Sequence, residues 1–465
     1  MNTRHGGSNR QSEIFARSMR PAIAIDPNHR LVHLTNQLNW DELQDLVEAI
    51  RSRKLKNAAG RPPHLRVLLG VVVLRATRKM TYRETEDQVR YYAPARYLCA
   101  LTETDWTPDT NTIHDFEQLL GEDGLQLLNE YVVKKAVDFK LADPDVVVAD
   151  TTAQEAAIPY PNEMGLMASF LRKVASGSAQ AGGTLRAFGK ETAGTFAKAK
   201  KKFREYRLFA KDKAKATKDK MTAKMASLVE QVQKQLGQAL KSTQATSSNL
   251  HTKARRAWNE VALMHETMKK LTPQIRFWLR TGFVAAKKIV SLHMPEVYTV
   301  VRGKVGKKVE FGLQWGITRL RGGFLLATAG LQRGTVEDQR YAVQAVRDVA
   351  ALFGRPPRQY AYDRGGDSDR NRRELRELGV KDIALAPRGR RTWQVSGKTK
   401  DDLVRERAQV EGGIGAIKSN RYGFNRPMAR SVDMMAVCGQ RAVLGFNLNK
   451  LVRELAKNQN LVLVG

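Results

Sequence analysis

The sequence predicts an α/β protein in which helices surround a mixed β-sheet. Three observations support this prediction: helical periodicity dominates the first 140 residues, short β-branched runs begin only near residue 144, and helical patterns alternate with these runs up to residue 457. The chain has 465 residues, enough for about two to four domains with a sizeable hydrophobic core.

The charge balance indicates an acidic polymer as the partner. The chain carries 79 Lys and Arg against 47 Asp and Glu, a formal net charge of +32, and nucleic acid is the commonest acidic polymer. A hydrophobic fraction of 42% is too high for a wholly disordered chain.

Cysteine usage and hydropathy exclude several other classes of protein. Cys99 and Cys438 form no CxxC pair, which excludes a disulfide framework and cysteine-based zinc fingers. The longest apolar run, residues 67–74, ends at Arg75 and is far shorter than the ~20 residues that a membrane span needs. The first twenty residues contain no apolar secretion signal. We therefore expect a cytoplasmic protein that does not enter a membrane.

The N-terminal part is predicted to be a basic tail over residues 1–30 followed by a helical DNA-binding and dimerisation domain over residues 31–140. Its predicted helices share amphipathic spacing or helix-start signals and cover residues 41–54, 65–78, 81–91, 112–120 and 124–140. Thr81 and Glu84 form a capping box at the start of the third helix. Two helices across a short turn are compatible with helix-turn-helix DNA binding, but equally with any small helical domain.

A strongly basic helical insertion is predicted over residues 166–290. Residues 171–290 hold 27 Lys and Arg against 7 Asp and Glu, so +20 of the net charge falls within them. Within residues 198–220, Lys200, Lys201 and Lys202 form the densest basic run. This imbalance favours a phosphate-binding arm over a helical hairpin whose lysine face is merely solvated.

Turn signals divide this insertion into helices. Residues 176–183 and 241–249 are rich in Ser, Gly, Thr and Asn and predict loops. A helix over residues 253–270 is expected to end before Pro273.

The catalytic domain is predicted from residues 141–165 together with 291–457. Its expected strands are β-branched and cover residues 144–150, 297–305, 309–320, 324–331, 359–362 and 382–386, with turns at Gly306 and at Gly322-Gly323. Its expected helices cover residues 336–353, 371–378, 402–419 and 432–457. A mixed sheet in this order, wrapped by helices, is the RNase H-like arrangement, with the basic insertion after its first strand.

Three carboxylates stand where this topology can bring them together. Asp150 is expected to end the first strand, Asp363 follows the fourth, and Glu411 lies in the helix after the fifth. Three hard oxygen ligands suit Mg²⁺, and two such ions can activate an attacking hydroxyl and stabilise the leaving oxygen of a phosphodiester. Each residue taken alone could instead be a turn, cap or surface residue.

Basic residues accompany these carboxylates. Arg407 and Lys418 share a helical face with Glu411 and are predicted to contact DNA. The loop before that helix carries Arg388, Arg390, Arg391 and Trp393. We expect this loop to contact a DNA end, with the indole available for base stacking, although an exposed basic loop has the same composition.

These motifs resemble those of bacterial DDE transposases of insertion sequences, in the insertion sequence five superfamily and its relatives. The similar segments are 80–83, 110–112, 148–155 with Tyr160-Pro161, 291–293, 310–312, 362–365 and 407–418. The last of these matches the Arg-x3-Glu-x6-Lys part of the family signature, and Val404 stands where the longer signature has Tyr.

The resemblance implies a bacterial, nucleoid-associated enzyme of a mobile element. Such an enzyme uses Mg²⁺, with Mn²⁺ as a substitute, and Asp150, Asp363 and Glu411 as metal ligands. It acts as a homodimer on double-stranded DNA, cutting and rejoining the inverted-repeat ends of its insertion sequence. A metal-dependent nuclease without strand transfer and a domesticated DNA-binding protein are the two alternatives.

Overall fold

The computed structural model describes residues 25–55, 64–101, 106–209, 213–245, 247–301, 309–331 and 335–464. Within these ranges the chain forms fifteen α-helices and a six-stranded mixed sheet, in agreement with the predicted α/β class. Most of the predicted basic tail and the predicted turn at Gly306 lie outside the described residues.

The N-terminal helices are α1 (Arg30–Gln37), α2 (Trp40–Lys54), α3 (Leu65–Thr77), α4 (Tyr82–Tyr91), α5 (Ala93–Leu98) and α6 (Thr110–Asp138). The capping box at the start of α4 is confirmed: the Glu84 N–H donates to the Thr81 hydroxyl at 3.2 Å, and the Thr81 N–H donates to the Glu84 carboxylate at 2.6 Å. Two predicted helices form the single element α6, which breaks at Gly121 (φ +63°). Since every residue of α3 from 67 to 77 is buried, α3 is a core helix.

The sheet contains β1 (Asp143–Glu155), β2 (Tyr298–Val301), β3 (Val309–Arg321), β4 (Leu325–Leu331), β5 (Gln359–Tyr362) and β6 (Asp382–Leu385). The strand order is β2-β3-β1-β5-β6, and β4 also pairs with β3. β3 is antiparallel to β1, β2 and β4, whereas β1, β5 and β6 are mutually parallel. The turn between β3 and β4 requires Gly322, since its φ is +95° and a Cβ there would lie 2.1 Å from a backbone oxygen.

The first strand is longer than expected. β1 does not end at Asp150 but continues to Glu155, paired with β3 throughout, so the prediction that Asp150 closes the strand is wrong. Gln154, a polar residue after Asp150, remains in the buried strand because its side chain has hydrogen-bond partners there. The buried Gln154 amide accepts a hydrogen bond from the Trp315 indole at 3.0 Å and donates one to the Met435 carbonyl at 2.8 Å.

The insertion after β1 consists of five helices: α7 (Glu163–Ala181), α8 (Gly183–Glu191), α9 (Ala193–Phe209), α10 (Lys215–Thr243) and α11 (Thr252–Thr281). These helices enclose a hydrophobic core of their own, with Phe170, Val229 and Met268 fully buried within it. The insertion is therefore a helical bundle rather than an extended arm.

Three boundaries predicted in this bundle are wrong. Residues 241–243, predicted to begin a loop, belong to α10. Residues 176–181 belong to α7, and the chain turns only at Gly182 and Gly183, whose φ values are positive. Likewise α11 continues through Pro273 to Thr281. The buried side chains of Leu271 and Ile275 hold the helix in the bundle core on both sides of the proline, which offsets the backbone hydrogen bond that proline removes.

Four further helices surround the sheet: α12 (Thr335–Phe353), α13 (Asp369–Glu377), α14 (Gly397–Lys418) and α15 (Val432–Asn458). One face of the sheet, around Val147 and Tyr360, shares a core with α12, α15 and the N-terminal helices. The other face, around Val148 and Ala361, packs against α14. In the described part of the chain, no helix has both the length and the apolar content needed to cross a membrane.

Candidate functional site

The pairing of β1 with β5 brings Asp150 and Asp363 side by side. In this parallel pair Val148 lies opposite Ala361, and each aspartate lies two residues further along the chain. Asp363 directly follows β5 and keeps an extended backbone (φ −74°, ψ −177°). Because adjacent strands are about 5 Å apart and side chains alternate between faces, both carboxylates lie on the face that α14 covers.

Short hydrogen bonds orient these two carboxylates. Asp150 is half-buried opposite Ile317 of β3, and its Oδ1 accepts the N–H of Thr151 at 2.7 Å. Asp363 is also half-buried, and its Oδ1 accepts the N–H of Gly365 at 2.8 Å at the start of a 3₁₀ turn. The turn role considered for Asp363 is therefore real, and it engages one of the two carboxylate oxygens.

The charges of both aspartates affect the pKa of a buried tyrosine, Tyr360. Burial and the neighbouring Tyr341 raise the pKa of Tyr360 well above its ordinary value, and the Asp363 and Asp150 carboxylates add to this shift. Both carboxylates therefore lie close enough to Tyr360 to act on it, which places them in the same region of the sheet.

Glu411 lies on α14, the helix that packs against the same face. Leu403, Val410 and Ile417, spaced by seven residues, form the buried seam of α14 against the sheet. Glu411 follows Val410 and is exposed. Among the residues that the structure describes, no three His, Cys, Asp or Glu side chains are gathered as a metal site. The structure thus brings together two of the three predicted ligands.

Polar contacts on the other side of α14 fix how this helix is rotated against the sheet. Glu406 forms ion pairs with Arg319, and with Arg321 at 3.1 Å, and Gln409 accepts a hydrogen bond from Arg319. With 3.6 residues per turn, these contacts leave the predicted Arg407, Glu411 and Lys418 face on the opposite flank.

Arg407 lies partly inside the protein on that flank. Its Nε is buried, and within the described residues it has no hydrogen-bond acceptor. A buried guanidinium N–H without an acceptor is costly, so an anion bound beside α14 would stabilise this side chain.

The arginine loop is held in place by Asp367, whose side chain is fully buried. This carboxylate accepts hydrogen bonds from the Arg372 side chain at 2.6 Å and from the Arg388 N–H at 2.8 Å. Arg391 donates to the Asp367 carbonyl at 2.9 Å and to Asp369 at 2.7 Å. Arg391 is thus half-buried and paired within the protein, whereas the side chain of Arg388 is exposed. The sequence analysis did not single out Asp367, although an acidic residue amid arginines was a usable signal.

The remaining predicted DNA contacts differ in exposure. Arg390 is exposed, whereas Trp393 is half-buried against the core on the α14 side, with the Lys400 ammonium 5.5 Å from the centre of its ring. Only part of this indole is therefore available for stacking on a base. Lys200 and Lys201 are exposed on α9 in the bundle, and Lys202 is half-buried.

A large cavity lies where the bundle joins the sheet, and the sequence analysis missed it. It has a volume of about 1270 Å³ and is lined by the segment after β1, by α7, α9 and α11, and by the loops before β2 and α15. Its lining includes Tyr160, Arg172, Lys200, His293 and Arg430. These residues are far apart in sequence, so no local pattern could group them.

Comparison with known families adds an independent observation. Residues 21–119 match a family described as Transposase domain (DUF772). The match supports a transposase. It covers the N-terminal helices and indicates an enzyme that acts on DNA. No curated protein and no solved structure matches the chain.

Proposed function

We propose that this protein is an insertion-sequence transposase of the DDE type, with an RNase H-like sheet, that cuts and rejoins DNA at the inverted-repeat ends of its element. The observation that supports it best is the β1–β5 register, which brings Asp150 and Asp363 together under the helix that carries Glu411. The strand order, with β1 central between antiparallel β3 and parallel β5, agrees with that fold. The transposase-domain match over residues 21–119 supports the same class of function.

The donor chemistry at this end of the sheet fits Mg²⁺. That ion is usually held by one or two carboxylates together with waters and substrate phosphates, and the adjacent Asp150 and Asp363 supply two. When bound, Mg²⁺ activates the attacking hydroxyl and stabilises the leaving oxygen of the phosphodiester. Glu411 is the third proposed ligand, at the border of the buried seam of α14. We expect Mn²⁺ to substitute, and Ca²⁺ to support DNA binding with little catalysis.

The basic residues around the carboxylates would hold the DNA backbone. Arg407 and Lys418 lie on the Glu411 flank of α14, where a cation can hold a phosphate of the strand that is cut. Arg388 and Arg390 are exposed beside the Asp363 turn and extend this basic surface. We propose that two copies act together on double-stranded element ends in the bacterial cytoplasm, at the nucleoid.

An assay of reaction products tests this proposal. The substrate is a labelled duplex taken from the DNA that flanks the reading frame, with Mg²⁺ and an unlabelled target duplex. We expect labelled strands joined to the target. Cut strands without joined product would contradict the transposase proposal in favour of a nuclease, and a gel shift without any cleavage would indicate a DNA-binding protein.

A further inference from the structure

The cavity at the junction of the bundle and the sheet combines an apolar interior with a basic rim. Its walls include Phe196, Phe203 and Leu263 from the bundle and Tyr160 from the segment that follows β1. A groove of about 1270 Å³ with flat aromatic walls is large enough for several planar rings.

Tyr160 is the most accessible aromatic residue of this groove. It is 74% exposed, and its ring is fixed by an edge-to-face contact with Phe311, with centroids 5.4 Å apart and an interplanar angle of 85°. Since large aromatic side chains are normally well buried, a ring that is held in orientation and still open to solvent is a ready surface for stacking.

The charges on the rim favour a polyanion. Arg172, Lys200 and Arg430 line the cavity, and the fourth cation, Lys173, pairs with the acidic residue Glu260 at 3.0 Å. The three remaining cations give the groove a net positive charge.

His293 adds a polar group to the lining. Partial burial and the neighbouring Lys173 and Arg172 lower the pKa of its imidazole against the opposing effect of Glu260, which favours the uncharged ring. An uncharged imidazole has one donor and one acceptor, which suits the edge of a nucleobase.

The groove lies a short distance along the chain from the candidate carboxylates. After Asp150, β1 runs five more residues to Glu155, which at roughly 3.3 Å per residue spans about 17 Å. The same segment then enters the cavity at Ala157 and reaches Tyr160. A DNA strand of a few nucleotides is long enough to span this separation.

We propose that this groove binds single-stranded DNA, with a base stacked on Tyr160 and phosphates held by Arg172, Lys200 and Arg430. A basic channel with aromatic side chains is the general design of single-strand binding, because every base offers a ring face and every nucleotide a phosphate. This inference rests on the proposed function, since the strand is one opened beside Asp150.

Fluorescence anisotropy with a labelled oligothymidylate of about 15 nucleotides tests this site. Tyr160→Ala should weaken binding about tenfold, the usual effect of losing one stacked base. Tyr160→Phe should bind like the wild type, because stacking needs the ring and not the hydroxyl. Val462→Ala is the control, since Val462 is 80% exposed after α15 and lies outside every region predicted to contact DNA, and it should leave binding unchanged. Arg430→Ala should weaken binding and make it less sensitive to salt.

Duplex binding and cleavage by the same variants separate the two proposals. Single-strand binding that is equal in Tyr160→Ala and the wild type, or that Val462→Ala reduces equally, would overturn the groove assignment. A wild-type protein that joins duplex ends but binds no oligothymidylate would overturn it while leaving the proposed function intact. Oligothymidylate binding that depends on Tyr160, without any duplex cleavage, would support the groove and contradict the proposed function.

Discussion

The N-terminal helices and the inserted bundle relate to the sheet in opposite ways. α3 and α6 share one hydrophobic core with the sheet and α15, whereas α7 to α11 enclose a separate core. Both regions are helical, and composition alone would describe both as accessory domains. The structure shows that the first is part of the central fold and the second is attached beside it.

A buried ionic network reinforces the first region. Glu117 of α6 contacts Arg441 of α15 at 2.7 Å and Arg75 of α3 at 3.3 Å, and it accepts a hydrogen bond from Tyr82 at 2.6 Å. The Glu117 side chain is fully buried. The segment with the transposase-domain match is therefore tied to the last helix of the chain, so changes at this junction should affect the whole fold.

The largest expected effect comes from breaking this network. Glu117→Gln leaves two buried guanidinium groups without their anion and should lower the free energy of unfolding by about 3–5 kcal/mol. In the bundle, Glu230 pairs with Arg276 at 2.6 Å, but both side chains are partly exposed. Glu230→Gln should therefore cost no more than about 1 kcal/mol. Urea unfolding of both variants measures the difference, and equal losses would contradict the contrast between the two regions.

A smaller loss of stability is expected from a substitution that crowds the contact between α3 and α15. A Cβ at Gly445 would lie 1.7 Å from the Ala76 carbonyl oxygen, so Gly445→Ala should destabilise the protein by about 1–3 kcal/mol. Gly194 in α9 has open space around it, and Gly194→Ala should be neutral or stabilise by up to about 1 kcal/mol. Thermal unfolding of the two variants checks both signs; a neutral Gly445→Ala would mean that the two helices separate readily.

Acid should weaken the network over a defined pH range. Burial opposes ionisation of Glu117, but Arg441, Arg75 and Tyr82 outweigh it and lower its pKa to about 2, from an ordinary 4.5. A carboxylate with a lowered pKa stabilises the folded state above the ordinary value, and this contribution is lost as the pH falls toward 2. The gap in melting temperature between wild type and Glu117→Gln should therefore shrink from pH 4.5 downward. A gap that stays constant over this range would contradict the account.

The smallest expected effect concerns the salt dependence of DNA binding by the bundle. Replacing Lys200, Lys201 and Lys202 with Ala should reduce the slope of log affinity against log salt by about 2.7, at roughly 0.9 per lost phosphate contact. Melting temperature should be little affected, because two of these side chains are exposed. Duplex binding at several salt concentrations measures the slope, and an unchanged slope would mean that the basic face of the bundle is merely solvated.

Local signals allowed most of the secondary structure to be predicted. The helix over residues 402–419 and the capping box at Thr81 depend on neighbours in sequence, and both were predicted. Features that depend on distant partners were missed. The extension of β1 past Asp150 depends on pairing with β3, and α11 passes Pro273 because of packing in the bundle.

The candidate site shows the same difference between features with a local sequence signal and features that depend on distant residues. Asp150 and Asp363 could be selected because each follows an apolar run, and their proximity follows from the parallel β1–β5 pair. The position of Glu411 relative to them depends on side-chain geometry that spacing cannot give. The engagement of Arg391 by Asp367 and Asp369, and the groove around Tyr160, arise from folding and have no local signature.

The central claim is that Asp150 and Asp363 form one reaction site, and single-turnover cleavage by Asp363→Ala tests it most directly. Asp369→Ala is the control, since Asp369 is an exposed acidic residue six positions away that contacts Arg391. With a duplex from the flanking DNA and Mg²⁺, we expect Asp363→Ala to retain less than a few per cent of wild-type cleavage while binding the duplex at least as well, and Asp369→Ala to cleave like the wild type. Cleavage by Asp363→Ala at the wild-type rate would contradict the claim.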